Sequence, residues 1–223
     1  MKLFADTADL RELKELDEMG LICGITTNPT IASQTGKKNL VDVLANIAKE
    51  FPEIPVFGQV VAKDTEGMVA EARKIVTAGK NIVVKLPATR EAVKAIKILH
   101  AEGIKTCATA VLTASQGFLC AAAGADYVAP YTGQNDVIGY DGLVTLEQLC
   151  DVIHEEGLPT EVLAASIESL RKSWNTLWPA RILSPCLTMC STDTFDSPLP
   201  LTKYYVDRFY KDWSGAGCVI EGK

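Results

Sequence analysis

Apolar residues in this chain gather into eight short runs separated by longer stretches of helical period. The runs are Lys2–Asp6, Ile22–Asn28, Pro55–Val61, Asn81–Leu86, Lys105–Val111, Tyr127–Tyr131, Glu161–Ser166 and Arg181–Cys186. Each is rich in Val, Ile and Ala and ends in polar or small residues, which fits strands buried on both faces. Between them, Asp64–Ala78 places Met68, Val69, Ala72, Ile75 and Val76 at helical offsets. Arg90–Ala101 does the same with Val93, Ile96, Ile98 and Leu99. Thr7, Asp64, Thr89, Thr113 and Thr145 stand where N-caps belong, and Gly79 and Gly103 where a left-handed C-cap wants glycine.

Alternation of strand and helix predicts a parallel sheet. Eight repeats within 223 residues predict closure into a single-domain (β/α)8 TIM barrel, since an open eight-stranded sheet would need more chain. No Ser/Gly-rich linker or low-complexity block interrupts the pattern, so the domain is expected to span residues 1–223. Thr188–Pro200 reads as irregular. Leu201–Trp213 reads as an extra C-terminal helix carrying Tyr204, Tyr205, Phe209, Tyr210 and Trp213. Its aromatics point to docking, either on its own barrel or on a neighbouring subunit.

A composition of 48% hydrophobic and 22% charged residues is that of a globular protein. No apolar run approaches the ~20 residues of a membrane span. The N-terminus meets Asp6 at once and has no signal-peptide pattern, so a cytoplasmic protein is expected. With a net charge of −6 and no basic cluster interleaved with aromatics, no nucleic-acid partner is expected. The seven cysteines are scattered without a C-x-x-C, and only His100 and His154 could join Cys186 and Cys190. They read as reduced thiols, with no metal site. There is no P-loop, no dinucleotide fingerprint and no Ser-His-Asp spacing.

Barrel enzymes carry their chemistry at the carboxyl ends of the strands. The polar residues expected there are Asp6, Thr26, Thr27, Asn28, Gln59, Lys85, Thr109, Tyr131 and Ser166. Lys85 sits in Ile82-Val83-Val84-Lys85-Leu86-Pro87, the most apolar of the runs. Burial there without an anionic neighbour favours the free amine, a nucleophile toward carbonyls. The alternative is a lysine reaching from a strand end to solvent. Asp6 could bind a sugar hydroxyl, move protons, or cap the next helix; Thr7 is the other candidate cap. Tyr131 is either a packed rim residue or a group that positions water.

Phe4-Ala5-Asp6-Thr7, Gly24-Ile25-Thr26-Thr27-Asn28-Pro29-Thr30, Val83-Val84-Lys85-Leu86-Pro87, Thr106 to Val111, Ala129-Pro130-Tyr131 and Ala164-Ala165-Ser166 resemble the small transaldolase and fructose-6-phosphate aldolase family. The resemblance runs in order from residue 1 to about 170. It implies a Schiff-base mechanism in which Lys85 attacks the ketone of a dihydroxyacetone unit. Asp6 and Asn28 would hold its hydroxyls. Thr26, Thr109 and Ser166 would line the donor pocket, with Ala129, Cys107 and Gln134 also contacting substrate. A water held by Gln59, Thr109 and Tyr131 would shuttle protons. No metal or organic cofactor is implied, because the iminium is the electron sink. Small ketone, aldehyde or sugar substrates are implied, and so is a homo-oligomer, a pentamer or decamer.

The resemblance also sorts the chain within the family. Transaldolases resemble one another in having glutamate at the position of Gln59 and phenylalanine at that of Tyr131, whereas the aldolase branch has Gln and Tyr, as here. Reversible aldol cleavage is therefore expected, with transfer of the three-carbon unit as the alternative and a non-catalytic sugar-binding barrel as another. Family members usually carry arginine at the position of Gln134 and a basic residue at that of Glu168. Their absence predicts an acceptor without a phosphate; a sulfonated sugar is the anionic alternative.

Overall fold

The computed structural model describes residues 2–167, apart from Lys38 and Ile138, and the backbone of Leu187–Cys190. Its strands are β1 (Lys2–Asp6), β2 (Ile22–Thr26), β3 (Val56–Gln59), β4 (Ile82–Pro87), β5 (Thr106–Val111), β6 (Tyr127–Pro130), β7 (Glu161–Ala164) and β8 (Leu187–Cys190). They pair in chain order, all parallel, and β8 pairs with β1 to close the barrel. The helices are α1 (Leu10–Glu18), α2 (Pro29–Gln34), α3 (Leu40–Glu50), α4 (Thr65–Ile75), α5 (Arg90–Ala101), α6 (Ala114–Ala122), α7 (Thr132–Val137) and α8 (Gly142–Glu155). All of these elements fall within one compact unit in residues 1–190.

Strands β1 to β7 are largely buried on both faces, as the apolar runs predict. One face packs outward on the helices through residues such as Ile25, Val56, Val84, Leu86, Ala108 and Val128. The other fills the barrel with Phe4, Phe57, Val83, Cys107, Ala129, Leu163 and Ala165. Phe4 and Phe57 meet edge to face at 5.7 Å between ring centroids, and Phe57 meets Tyr127 at 5.0 Å. Gly24 makes room for this stack: a Cβ there would lie 2.2 Å from the Phe4 ring.

Two expected caps are displaced. Asp9, not Thr7, caps α1 and accepts from Arg11 N; Thr7 Oγ1 instead accepts from Asp9 N and donates to Glu12 Oε2. Asp141, not Thr145, caps α8, which starts a turn earlier at Gly142. Gly142 is required because a Cβ there would lie 2.1 Å from Thr132 O. Asp64, Thr89 and Thr113 cap α4, α5 and α6 as expected, the last with a full capping box. Gly103 takes the left-handed conformation (φ 72°), but Gly79 is extended.

The eighth strand closes the barrel against β1 and β7. Its described residues are Leu187–Cys190, which take in the start of the segment read as irregular; the run expected at Arg181–Cys186 lies outside the described residues. The helix expected over 201–213 lies outside the described residues. Among those described, no helix is long and apolar enough to cross a membrane, and no cluster of His, Cys, Asp or Glu could hold a metal ion.

Candidate active site

Side chains on a strand return to the same face every second residue. Counting two residues on from the apolar filling gives the next level of the barrel. Phe4 leads to Asp6, Phe57 to Gln59, Val83 to Lys85, Cys107 to Thr109 and Ala129 to Tyr131. Because Ile25 faces the helices, Thr26 faces inward as well. Six of the expected residues therefore meet at one level, above a floor that includes Cys107 and Ala129.

Lys85 is only 2% exposed. No ion pair engages it among the described residues, and its Nζ donates one hydrogen bond, to Thr27 O at 3.1 Å. Asp6 is free of any capping duty and accepts from Thr26 Oγ1 at 2.6 Å. On the opposite wall Thr109 Oγ1 donates to Tyr131 OH at 3.2 Å. Gln59 Oε1 is buried with no hydrogen-bond partner among the described residues. A buried amide oxygen without a donor costs about 1–3 kcal/mol, so this atom is ready for water or a substrate hydroxyl. Burial pushes the Cys107 thiol up to about 12 despite the opposing effect of nearby Lys85, so the floor beside the lysine is neutral.

The margins of this level are strained. Ala110 (φ 54°) and Ser166 (φ 56°) are the two non-glycine residues with left-handed backbone among those described. Ala110 marks the register shift in β5 immediately after Thr109. Ser166 follows the end of β7, and its carbonyl accepts from Gly133 N at 2.9 Å. Each such residue costs about 1–2 kcal/mol and persists where the surroundings impose it, commonly at functional sites. Asn28 lies just past β2 and caps α2, its Oδ1 accepting from Ile31 N at 2.9 Å. That leaves its amide NH2 to donate to a ligand. Gln134 is exposed on α7 and does not join the inward ring; Glu168 lies outside the described residues.

Sequence reasoning missed the partner of Lys85, which is a backbone carbonyl and has no residue-type signal. It also missed the strain at Ala110, which arises from the pairing of β5 with β6. What the ring offers chemically is a buried amine, a carboxylate within hydrogen-bond reach of a hydroxyl, a hydrogen-bonded hydroxyl pair, and a buried amide oxygen with no partner among the described residues.

Comparison with known proteins gives concordant results. The model of the family described as Transaldolase/Fructose-6-phosphate aldolase matches residues 3–178. A probable transaldolase of Clostridium acetobutylicum is 38% identical over 223 residues, covering 97% of this chain and 99% of the relative. A probable transaldolase of Methanococcus maripaludis is 38% identical over 215 residues, with 96% and 97% covered. Among solved structures, one described as "Native KDPGal structure" superposes with a TM-score of 0.60 at 12% identity, covering 85% of this chain and 82% of that one. Orotidine 5'-monophosphate decarboxylase from Methanocaldococcus jannaschii does so at 0.60 and 13%, with 91% and 96% covered. These distant structures share the barrel.

Proposed function

Because the chain belongs to the transaldolase/fructose-6-phosphate aldolase family, an aldolase-type group of enzymes, we propose that it is a Schiff-base aldolase that cleaves and forms a carbon–carbon bond next to a dihydroxyacetone unit. The observation that carries this reading is Lys85: an amine 2% exposed, without an ion-pair partner, inside a ring of hydroxyl, amide and carboxylate groups. Its Nζ attacks the ketone carbon, the ketone oxygen leaves as water, and a protonated imine forms. As the adjacent carbon–carbon bond breaks, its electron pair flows to the imine nitrogen and gives an enamine. The hydroxyl proton of the departing aldehyde passes to a water between Gln59 Oε1 and the Thr109–Tyr131 pair. That water then protonates the enamine carbon, and hydrolysis returns the amine. Asp6 and Asn28 bind the donor hydroxyls, Thr26 and Ser166 line the donor pocket, and Cys107 and Ala129 form its floor.

Cleavage rather than transfer rests on Gln59 and Tyr131. An amide with an unpartnered oxygen holds water without taking its proton permanently, and the tyrosine supplies a second proton donor. The names of the relatives favour transfer as the second reading. The exposed neutral Gln134 supports an acceptor aldehyde without a phosphate.

The test is borohydride reduction after incubation with dihydroxyacetone or with fructose 6-phosphate, followed by peptide mass mapping. A three-carbon adduct on Lys85 is expected with dihydroxyacetone; its absence with both compounds overturns the Schiff-base reading. Release of free dihydroxyacetone without an added acceptor aldehyde distinguishes cleavage from transfer. Turnover of fructose 6-phosphate with a micromolar KM would overturn the unphosphorylated acceptor.

A further inference from the structure

Lys85 rests on a carbonyl that is itself held in place. Thr27 is fully buried. Its N–H and its hydroxyl both donate to one oxygen, Phe57 O, at 3.1 and 2.8 Å. Anchored through both backbone and side chain, the residue has little freedom to turn its own carbonyl. The register of β2 with β3 ends at Thr26↔Phe57. If the parallel ladder continued, the next bond would run from Gln59 N–H to Thr27 O. Instead that oxygen accepts from Lys85 Nζ at 3.1 Å.

We infer that Thr27 is a positioning residue for the Schiff base: its carbonyl aims the lysine nitrogen before attack and accepts the N–H of the iminium afterwards. This inference rests on the Schiff-base reading of Lys85. In forming the iminium, Nζ gains a bond to carbon. The ketone oxygen departs as water with one hydrogen from Nζ and one proton from solvent. The nitrogen keeps one hydrogen and a positive charge. No ion-pair partner of Nζ is present among the described residues, so that hydrogen needs a neutral acceptor. Thr27 O already occupies the place. A hydrogen bond from a charged N–H is stronger than one from a neutral enamine N–H, so the carbonyl favours the form that withdraws electrons.

Two variants test this. Thr27→Val keeps the branched shape and removes the hydroxyl; Thr27→Ser keeps the hydroxyl and removes the methyl. The readout is the rate at which the borohydride-trappable dihydroxyacetone adduct forms on Lys85 at saturating ketone, with Tm measured alongside. Thr27→Val is expected to slow adduct formation about tenfold, with donor affinity changed less than about threefold. Thr27→Ser is expected to stay within about twofold of the parent. Thr27→Ala, which also lacks the hydroxyl, replaces the valine variant should that one not fold. Adduct formation by Thr27→Val at the parental rate overturns the inference, and so does an equal loss in the valine and serine variants. An unmodified protein that forms no adduct overturns the Schiff-base reading itself, whereas a normal adduct with an unimpaired valine variant overturns only the role of Thr27.

Discussion

The inside of the barrel has two levels, one pleat repeat apart, and five strands supply a residue to each. The lower level, Phe4, Phe57, Val83, Cys107 and Ala129, is apolar and closed by edge-to-face rings. The upper level, Asp6, Gln59, Lys85, Thr109 and Tyr131, is polar and sparsely bonded, with one orphan amide oxygen and left-handed residues at its edge. Two residues of strand span only about 7 Å. Over that distance the barrel passes from a packed apolar plug to a polar ring. Substitutions at the two levels should therefore have opposite signatures, on stability below and on turnover above.

The largest expected effect is at the top. Lys85→Met should reduce turnover at least about 10⁴-fold while leaving Tm unchanged or raised, because an unpaired buried amine is replaced by an apolar chain of similar length. Steady-state assay and thermal unfolding on one preparation check this; residual turnover above a hundredth of the parent would break the comparison. At the bottom, Phe57→Ala removes a fully buried ring and should cost about 3–5 kcal/mol in denaturant unfolding. The Lys85 adduct should still form in whatever fraction remains folded, and a folded variant that forms none would show that the levels are not separable. Tyr131→Phe removes the hydroxyl that Thr109 contacts and should lower kcat about 10²-fold with little change in Tm. A larger effect on stability than on kcat would return Tyr131 to the packed rim.

The smallest test uses pH. Burial raises the Cys107 thiol from 9.0 to about 12, and burial, with nearby Glu161 and Asp126 adding to it, raises the Tyr127 phenol from 10.0 to about 12. In the unfolded chain these groups ionise near their ordinary values, whereas in the fold they keep their protons. The unfolded state thus gains stability first as pH rises, and the fold should weaken progressively between about pH 9 and 12. Denaturant midpoints at pH 8, 9.5 and 11 measure this; a flat series would mean that the lower level is open to water.

Much of this division was legible beforehand. Seven strands were placed by their apolar runs because burial on both faces leaves little choice of residue. The polar strand ends stood out because most of the residues before them in those strands are apolar. Legibility failed where the deciding contact is made by backbone or by distant chain. Asp141 rather than Thr145 caps α8 because Gly142 fits against Thr132 O, a contact made only in the folded chain. Thr27 matters through a carbonyl that every residue type possesses. The strain at Ala110 comes from a shift in strand pairing, to which alanine gives no clue.

The recess at Gly24 has a consequence for how this sequence can change. A side chain at 24 would collide with the Phe4 ring, with Cβ as near as 2.2 Å. Shrinking Phe4 alone leaves a void in the plug. Each substitution is harmful alone, and only the pair restores filling. The two positions are therefore coupled: a side chain at 24 needs a smaller one at 4, and the effects of substituting both should not add.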